Sequence, residues 1–349
     1  MEIDIVVPVW NRPIETRSCL VSLIEYSPGA RFIFIDNGCD REAERLLQEF
    51  AESLDERALL VCTGTNRGLV KAINIGLERA EARFAAVVSH RCLVTEGWLE
   101  PLMNLTGENA EAGLVVPRIS TVGNAPQRQS RELTAVSREA VSGSLAAMLI
   151  RKEVHDSIGG LDEELDGGYW CIRDYSRRAY RAGFLTYAVD GGLIHCKEET
   201  PLGSIARREE TARRSAGIFH ERWGKEHFYC IFFPKGADPV SLEQRRDVLL
   251  KGARQGHHFT VIVPYGMYTD LVRKGCDDLH ENIRIVALPR FFADGAIGKM
   301  YASLRRSRSE IIPVAGIDDI HFPGVADAMP FSALDRLIMK AESEIYHHL

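Results

Sequence analysis

The sequence predicts an α/β protein in which a parallel sheet carries helices on both faces, followed by a second, smaller α/β domain. Short apolar runs rich in β-branched residues alternate with helical patterns from the start of the chain. Such alternation is typical of parallel strands joined by helical crossovers. It loosens after residue 113, and a fresh alternation begins near residue 229. We therefore expect one domain over residues 1–228 and another over residues 229–349.

The first stretch predicts strands at residues 3–10, 30–38, 58–65 and 83–90, with helices at 13–26, 41–54 and 69–80. Proline at residue 13 suits the first turn of a helix, where its missing N–H costs no hydrogen bond. Ligands of open parallel sheets bind beyond the carboxyl ends of the strands. The polar residues that follow these strands are therefore candidates for a binding site.

The pattern is less regular between residues 113 and 228. Apolar runs at 113–120 and 142–154 predict strands on either side of a serine-rich stretch from Thr121 to Ser137, which has the composition of a loop. A helix around residues 173–184, a strand at 186–195 and a basic helix at 204–224 follow.

The second domain predicts strands at residues 228–234, 258–264, 283–289 and 311–316, separated by helical patterns. It contains neither a GxGxxG nor a GxxxxGK[ST] segment, so the sequence does not predict its ligand.

Composition narrows the class of protein. The 349 residues are 45% hydrophobic and 26% charged, as in soluble globular proteins. A formal net charge of -6 disfavours a general nucleic-acid binder. The opening segment lacks the basic region of a signal peptide, and no apolar run reaches the length of a membrane span. The 8 cysteines form no CxxC pair, which favours free buried thiols and a reducing compartment, so we expect a cytoplasmic protein.

Two of the predicted strand ends carry candidate ligand groups. Asp36 could accept a hydrogen bond from a nucleobase imide or a ribose hydroxyl, or it could close a turn with Asn37. Asn66 and Gly68 precede a helix that also carries Lys71, which would suit an anionic ligand. The alternative there is an ordinary helix cap beside a solvated lysine.

Taken in order, seven segments resemble the family 2 glycosyltransferases of the GT-A fold. They are IVVPVWNRP, FIDNGCD, TNRGLVKAINIGLERA, VVSHRCLVTEGWLEPLM, GSLAAMLIRKEVHDSIGGLDEEL, DYSRRAYRAGF and LIHC, and the resemblance covers about residues 1–225. It implies a nucleotide-sugar-binding domain with Mg²⁺ or Mn²⁺ as cofactor. The residues that it places beside the donor nucleotide are Pro8, Asn11, Arg12, Asp36, Asn66, Gly68 and Lys71.

The chain departs from the family pattern where a metal-binding aspartate belongs. In the family this strand end carries a DxD motif, and here Ser89, His90 and Arg91 occupy its positions. Neither serine nor arginine supplies the anionic oxygen that Mg²⁺ or Mn²⁺ prefers. Arg91 could replace the metal as a fixed cation beside the donor diphosphate, could mark a domain that has lost its chemistry, or could turn outward toward Glu96.

A second departure affects the catalytic base. The family has an acidic pair before the helix that ends in AGF, and here Cys171 and Ile172 stand in those positions. Asp174 or Asp166 is then the candidate base, with Arg91 as the third catalytic candidate. His195 matches a late histidine of the family that often binds the metal; alternatively, it is a hydrogen-bonded residue at a strand end.

We therefore predict a glycosyltransferase of hexosyltransferase type that moves a sugar from a nucleoside diphosphate to an acceptor hydroxyl, with metal independence as one reading of Arg91. The rival hypothesis is a non-catalytic nucleotide-sugar-binding or partner-binding protein of the same fold. A nucleotidyltransferase is a weaker alternative, because no glycine-rich basic phosphate loop follows the first strand.

Overall fold

The structure is a computed structural model that describes residues 2–121, 137–165, 168–197, 205–290, 293–308, 310–318 and 327–346. The chain forms two compact units. The first comprises Met1–Ser137 and Ser142–Gly224, and the second comprises Arg138–Val141 and Lys225–Leu349. The division at Gly224 lies near the boundary predicted at residue 228, but no sequence pattern predicts that Arg138–Val141 belongs to the second unit. Apart from its two ends, the predicted loop from Thr121 to Ser137 lies outside the described residues.

The first unit alternates strands and helices in its early part. Its strands are β1 (Ile3–Val9), β2 (Arg31–Asp36), β3 (Ala58–Cys62), β4 (Phe84–Val88), β5 (Cys92–Val94), β6 (Ala112–Val116), β7 (Ile119–Thr121), β9 (Ala147–Arg151), β10 (Leu185–Val189) and β11 (Ile194–Cys196). Strand β8 (Ser137–Glu139) begins at the last residue of the first segment of this unit and continues into the segment that belongs to the second unit. Its helices are α1 (Pro13–Tyr26), α2 (Arg41–Leu54), α3 (Leu69–Glu78), α4 (Glu100–Glu108), α5 (Lys152–Ile158), α6 (Tyr169–Arg181) and α7 (Ile205–Trp223).

The main sheet has the strand order β3-β2-β1-β4-β9-β6-β10-β8. Strand β1 pairs in parallel with both β2 and β4, and Ile5 lies in register with Phe32 and Ala86. Every residue of β1 is buried, as expected for a parallel strand with helices on both faces. Because β1, β2 and β4 are parallel, their carboxyl ends lie along one edge of the sheet.

Strand β9 runs antiparallel to β4 and β6, which differs from the parallel sheet predicted. Val88 pairs with Ala147 and Phe84 with Arg151. A parallel neighbour requires a crossover connection, usually a helix. Between β6 and β9 the described residues contain β7 and β8 but no helix, so the chain enters β9 from the opposite end.

The interior of this unit is divided into two clusters by the main sheet. Side chains of β1 alternate between them: Ile5 and Val7 belong to one and Val6 to the other. The first cluster includes the buried Trp98, whose indole Nε1 donates to Ser27 Oγ at 3.0 Å. Both faces of the sheet are therefore used for packing, and polar groups are left to its edges.

A small second sheet, with the order β5-β11-β7, follows the end of β4. Strand β11 is antiparallel to β5, and Cys196 lies opposite Cys92 in the register. These two cysteines form a disulfide. The expectation of free thiols is therefore wrong for this pair, because residues separated by 104 positions become direct cross-strand neighbours. The cytoplasmic location rested partly on that expectation, and it stays a prediction.

The second unit is a parallel α/β unit of its own. Its strands are β12 (Phe228–Phe232), β13 (His258–Val263), β14 (Ile283–Ala287), β15 (Ile311–Ala315) and β16 (Met329–Pro330), in the sheet order β14-β13-β12-β15-β16. Its helices are α8 (Pro239–Glu243), α9 (Arg246–Arg254), α10 (Tyr265–Arg273), α11 (Ala293–Ser307) and α12 (Phe331–Tyr346). The segment Arg138–Val141 is fastened within it, since Arg254 donates to both carboxylate oxygens of Glu139 at 2.7 Å.

Within the described residues, every helix is too short or too polar to traverse a bilayer.

A buried ion pair holds the start of the main sheet. Asp4 in β1 is 1% exposed and accepts hydrogen bonds from Arg31 Nε at 2.7 Å and Arg31 Nη2 at 3.0 Å. The backbone N–H groups of Glu81 and Ala82 donate to the same carboxylate. Burial alone would raise the pKa of Asp4, but the Arg31 and backbone hydrogen bonds outweigh it and hold that pKa below its usual value.

Asp4→Asn should lower the free energy of unfolding at pH 7 by about 3 kcal/mol, since it removes the buried carboxylate and leaves the largely buried Arg31 with only the exposed Glu81 as an acidic partner in the described structure. Because the folded pKa is depressed, Asp4 stabilises the protein above about pH 4, and this contribution is lost as pH falls through the folded pKa. Urea unfolding between pH 3 and 7 measures both effects. Glu81→Gln is the matched control: Glu81 bonds the same arginine but is 82% exposed, so its loss should cost less than about 1 kcal/mol. Equal losses of unfolding free energy in the two variants would show that burial does not strengthen the Asp4–Arg31 ion pair.

Candidate functional site

The loops after β1 and β2 are joined to each other. Asn11 N donates to Cys39 Sγ at 3.3 Å, and Asn11 Oδ1 accepts from the backbone N–H of Asp40 at 2.7 Å. Asn11 and Arg12 both have left-handed backbones, with φ of 56° and 55°. Asparagine tolerates this region but arginine rarely adopts it, so backbone strain lies in the loop that follows β1.

Asp36 ends β2 and closes a side-chain-to-backbone turn. Its Oδ1 accepts from the backbone N–H of Cys39 at 2.8 Å, and its own carbonyl accepts from Thr63 N at 2.9 Å. The turn predicted as the structural alternative is therefore present. Contact with a nucleobase stays a prediction for the same carboxylate.

Asn37, which the sequence argument did not select, links the loops after β2 and β3. Its Oδ1 accepts from Arg67 N at 2.8 Å, and its Nδ2 donates to Asn66 Oδ1 and to the Gly68 carbonyl, each at 3.2 Å. Asn66 Oδ1 also accepts from Gly68 N at 2.8 Å. The sequence signal that could have indicated this role is Asn37 itself, a polar residue directly after Asp36 in the segment FIDNG.

Lys71 of α3 is not simply solvated, because its Nζ lies 2.9 Å from Glu163 Oε2. Asn74, one turn along the same helix, donates to the Leu161 carbonyl and accepts from Leu161 N at 2.8 Å. It also donates to Glu163 Oε1 at 3.3 Å. Helix α3 thus fixes the segment that leads toward the predicted base Asp166, which itself lies outside the described residues.

The end of β4 is a tight turn with His90 and Arg91 at its centre. Cys92 N donates to the Ser89 carbonyl at 3.0 Å, closing the turn. His90 Nδ1 lies 3.0 Å from the Pro8 carbonyl, an acceptor, so this nitrogen carries the proton. Burial lowers the pKa of His90 to about 4, and the ring is neutral at pH 7. Arg91 therefore supplies the fixed positive charge of this turn.

Arg91 is tied to the end of β11. Its Nη2 donates to the Lys197 carbonyl at 3.0 Å, and its own carbonyl accepts from Lys197 N at 3.4 Å. His195 lies two residues earlier on β11, opposite Leu93. The structure thus places Arg91 and His195 on paired, neighbouring segments, and their roles stay predictions.

These residues do not fit a divalent cation. A guanidinium repels a metal ion, and Ser89 offers only a neutral hydroxyl. In the described part of the chain, no group of three or more His, Cys, Asp or Glu side chains is placed to hold a metal ion. The metal role of His195 stays a prediction without such a ligand set.

Asp174 lies in a buried network rather than at an open surface. It is 0% exposed, and its Oδ2 accepts from Arg178 Nε at 2.8 Å. Its Oδ1 accepts from Arg222 Nη1 at 2.6 Å and from Trp223 Nε1 at 2.9 Å. Both carboxylate oxygens are therefore occupied by donors from α6 and α7, an arrangement that suits a positioning role. Cys171 and Ile172, in the positions of the acidic pair, are buried in the core.

The predicted nucleotide-side residues thus converge on one edge of the main sheet. Pro8, Asp36 and Arg91 mark the ends of β1, β2 and β4, which are adjacent parallel strands. Asp174 belongs to the separate contact between α6 and α7. Arg222 and Trp223 were missed because a basic helical pattern does not reveal which carboxylate it contacts.

Comparison with known proteins gives a family match within the first unit. Residues 4–161 match the model of the glycosyl transferase family 2. The crystal structure of GalNAc-T7 with UDP, GalNAc and Mn²⁺ is similar at 15% identity and a TM-score of 0.52, covering 63% of this chain and 48% of that one. The crystal structure of S. aureus TarS is similar at 13% identity and a TM-score of 0.51, covering 99% of this chain and 54% of that one.

The chain spans about half the length of each of these two solved chains. At such low identity the likeness is one of fold alone. Together with the family match, it confirms the predicted GT-A-like α/β fold class.

Gly38 should tolerate no side chain. Its φ is +72°, and a Cβ would lie 2.4 Å from the backbone N of Asn66. Gly64 is the matched control, because it has the same φ of +72° but open space around it. We expect Gly64→Ala to cost about 1 kcal/mol of unfolding free energy and Gly38→Ala about 2–4 kcal/mol, measured by urea unfolding. Similar costs at both positions would refute the close approach of the two loops.

Proposed function

We propose that the first unit, in which residues 4–161 match the model of the glycosyl transferase family 2, binds a nucleoside diphosphate sugar and transfers the sugar to an acceptor hydroxyl. The observation that carries the proposal is the convergence of the loops after β1, β2 and β4 on one sheet edge. In open α/β sheets this edge binds ligands. The hydrogen bonds of Asn11 and Asn37 fix the loops after β1, β2 and β3 in advance, and His90 joins the loop after β4 to the Pro8 carbonyl, so binding a donor would cost less ordering.

Arg91 would act on the leaving group. In the transfer step the bond between the sugar C1 and the diphosphate oxygen breaks, and the acceptor oxygen bonds to C1. The diphosphate leaves with its negative charge, and the acceptor proton passes to a base. A guanidinium donates to two phosphate oxygens at once and never loses its charge. Such a preorganised cation can stabilise the departing diphosphate without a metal ion.

The base is assigned to Asp166 rather than to Asp174. Asp174 is 0% exposed, and both of its carboxylate oxygens accept hydrogen bonds from Arg178, Arg222 or Trp223, so neither oxygen is open to an acceptor hydroxyl. We infer that Asp174 positions α6 against α7. Asp166 follows Leu165 and the segment that Asn74 holds.

A second function is favoured by one observation. The positions of the family's acidic pair hold Cys171 and Ile172, and both side chains are buried. A domain without a base could still bind the donor, as a nucleotide-sugar-binding protein. Transfer and binding must therefore be measured separately.

Calorimetry with UDP-, GDP- and dTDP-sugars should give binding for at least one donor. If none of these donors binds, both sugar transfer and non-catalytic binding of a nucleotide sugar are rejected. With the donor that binds, hydrolysis or transfer that persists in EDTA would support the arginine mechanism, whereas strict dependence on Mn²⁺ would reject it. Binding without turnover would favour the non-catalytic function.

Arg91→Ala should weaken binding of UDP or GDP by about tenfold to a hundredfold, the loss expected for hydrogen bonds to a charged group. Binding of uridine or guanosine should change little, because a nucleoside lacks the diphosphate. The nucleotide affinity of Arg91→Lys should lie between those of the native chain and Arg91→Ala, since lysine keeps the charge but lacks the planar guanidinium that donates to two oxygens at once. Arg17→Ala, which removes an exposed arginine paired with Glu49, is the control and should leave both affinities unchanged. Equal losses for nucleotide and nucleoside would show that Arg91 does not meet the diphosphate.

A further inference from the structure

The disulfide occupies a specific place relative to the proposed site. Cys92 directly follows Arg91, and Cys196 directly follows His195. Arg91 and His195 are the two positions at which the family resemblance implies metal ligands. The covalent bond therefore joins the two chain segments that a shared metal would otherwise join.

The bond belongs to a continuous cross-strand contact. Cys92 lies opposite Cys196 at the end of the antiparallel pairing of β5 with β11. One residue further on, the Lys197 carbonyl accepts from Arg91 Nη2 at 3.0 Å, and Lys197 N donates to the Arg91 carbonyl at 3.4 Å. Cys92 also donates its N–H to Ser89, which closes the turn that presents Arg91. Both the backbone and the guanidinium of Arg91 are thus hydrogen-bonded to Lys197, the residue that follows Cys196.

The pair is shielded from water. Cys92 is 1% exposed and Cys196 is 6% exposed. Strand β11 is three residues long and pairs with β5 on one side and β7 on the other, so the pairing beside Arg91 is short. The disulfide adds a covalent link to this short pairing, and short pairings open more readily than long ones.

We propose that the Cys92–Cys196 disulfide replaces the bridging metal as the cross-link between these strand ends, so that diphosphate binding depends on the redox state of this pair and not on a divalent cation. This inference rests on the proposed function, because it concerns how Arg91 is held toward the donor. It makes Cys92 and Cys196 positioning residues.

Loss of the cross-link is a two-electron reduction by a dithiol. One reductant thiolate attacks a sulfur of the pair, and the S–S bond breaks as a mixed disulfide forms. The second reductant thiol then attacks that mixed disulfide. The products are the Cys92 and Cys196 thiols and one cyclic disulfide of the reductant, so electrons and protons balance.

The test compares the oxidised protein with protein reduced by dithiothreitol, each in EDTA and in MnCl₂. UDP and GDP are titrated calorimetrically, and hydrogen exchange is followed for peptides spanning residues 89–94 and 194–197. Reduction should weaken nucleotide affinity about tenfold and speed exchange in both peptides, with no effect of MnCl₂ in either state. The double variant Cys92→Ala/Cys196→Val should match the reduced protein and ignore dithiothreitol. If that variant does not fold, chemical reduction of the native chain still gives the answer.

Cys276→Ser is the matched control, because this free cysteine belongs to the second unit and should leave affinity and redox response as in the native chain. Equal exchange and equal affinity in the two redox states would overturn the inference. So would recovery of affinity in the reduced protein on adding MnCl₂. If neither nucleotide binds in any state, the proposed function fails, and the exchange data alone decide whether the disulfide holds the Arg91 turn.

Discussion

Parallel pairing of β1 with β2 and β4 is the constraint on which the rest of the first unit depends. Strand β1 is buried on both faces, so its polar backbone groups must pair along the sheet and polar side chains are confined to its ends. Asp4, at the start of the strand, is neutralised by Arg31. At the other end the loops pack against one another through Asn11 and Asn37. That end combines polar groups with a left-handed backbone at Asn11 and Arg12, and ligands of open parallel sheets bind at this edge.

Neighbouring loops also determine which polar groups of the site are available. His90 is neutral, because burial disfavours its charged form. Both carboxylate oxygens of Asp174 are occupied by ion pairs, one with Arg178 and one with Arg222. Arg91 differs from both: it is a permanent cation at the strand end, held by backbone and side-chain contacts to Lys197. The electrostatic character of this edge is thus set by one residue more than by the number of charged residues near it.

The sequence pattern predicted those elements whose structure depends on residues close together in the chain. Strands β1 to β4 and helices α1 to α3 follow from apolar periodicity, and Asp36 was correctly given a turn as one alternative. The reversed direction of β9 was missed, since a short apolar run has the same pattern in either direction. The Cys92 pairing was missed because proximity across 104 residues is a property of the fold. Likewise, nothing beside Asp174 in the sequence reveals the arginine of α7 that occupies it.

Charge counting explains why an arginine can stand where the family pattern has an aspartate. A carboxylate that holds a divalent cation presents one net positive charge to a diphosphate, and so does a guanidinium with no metal at all. What the substitution removes is the cross-link, because a metal binds several protein groups whereas an arginine side chain is flexible. Its charge is useful only if its position is fixed by other means. A disulfide one residue further along can supply such a constraint, and this is why we treat Arg91 and the pairing of Cys92 with Cys196 as one proposal.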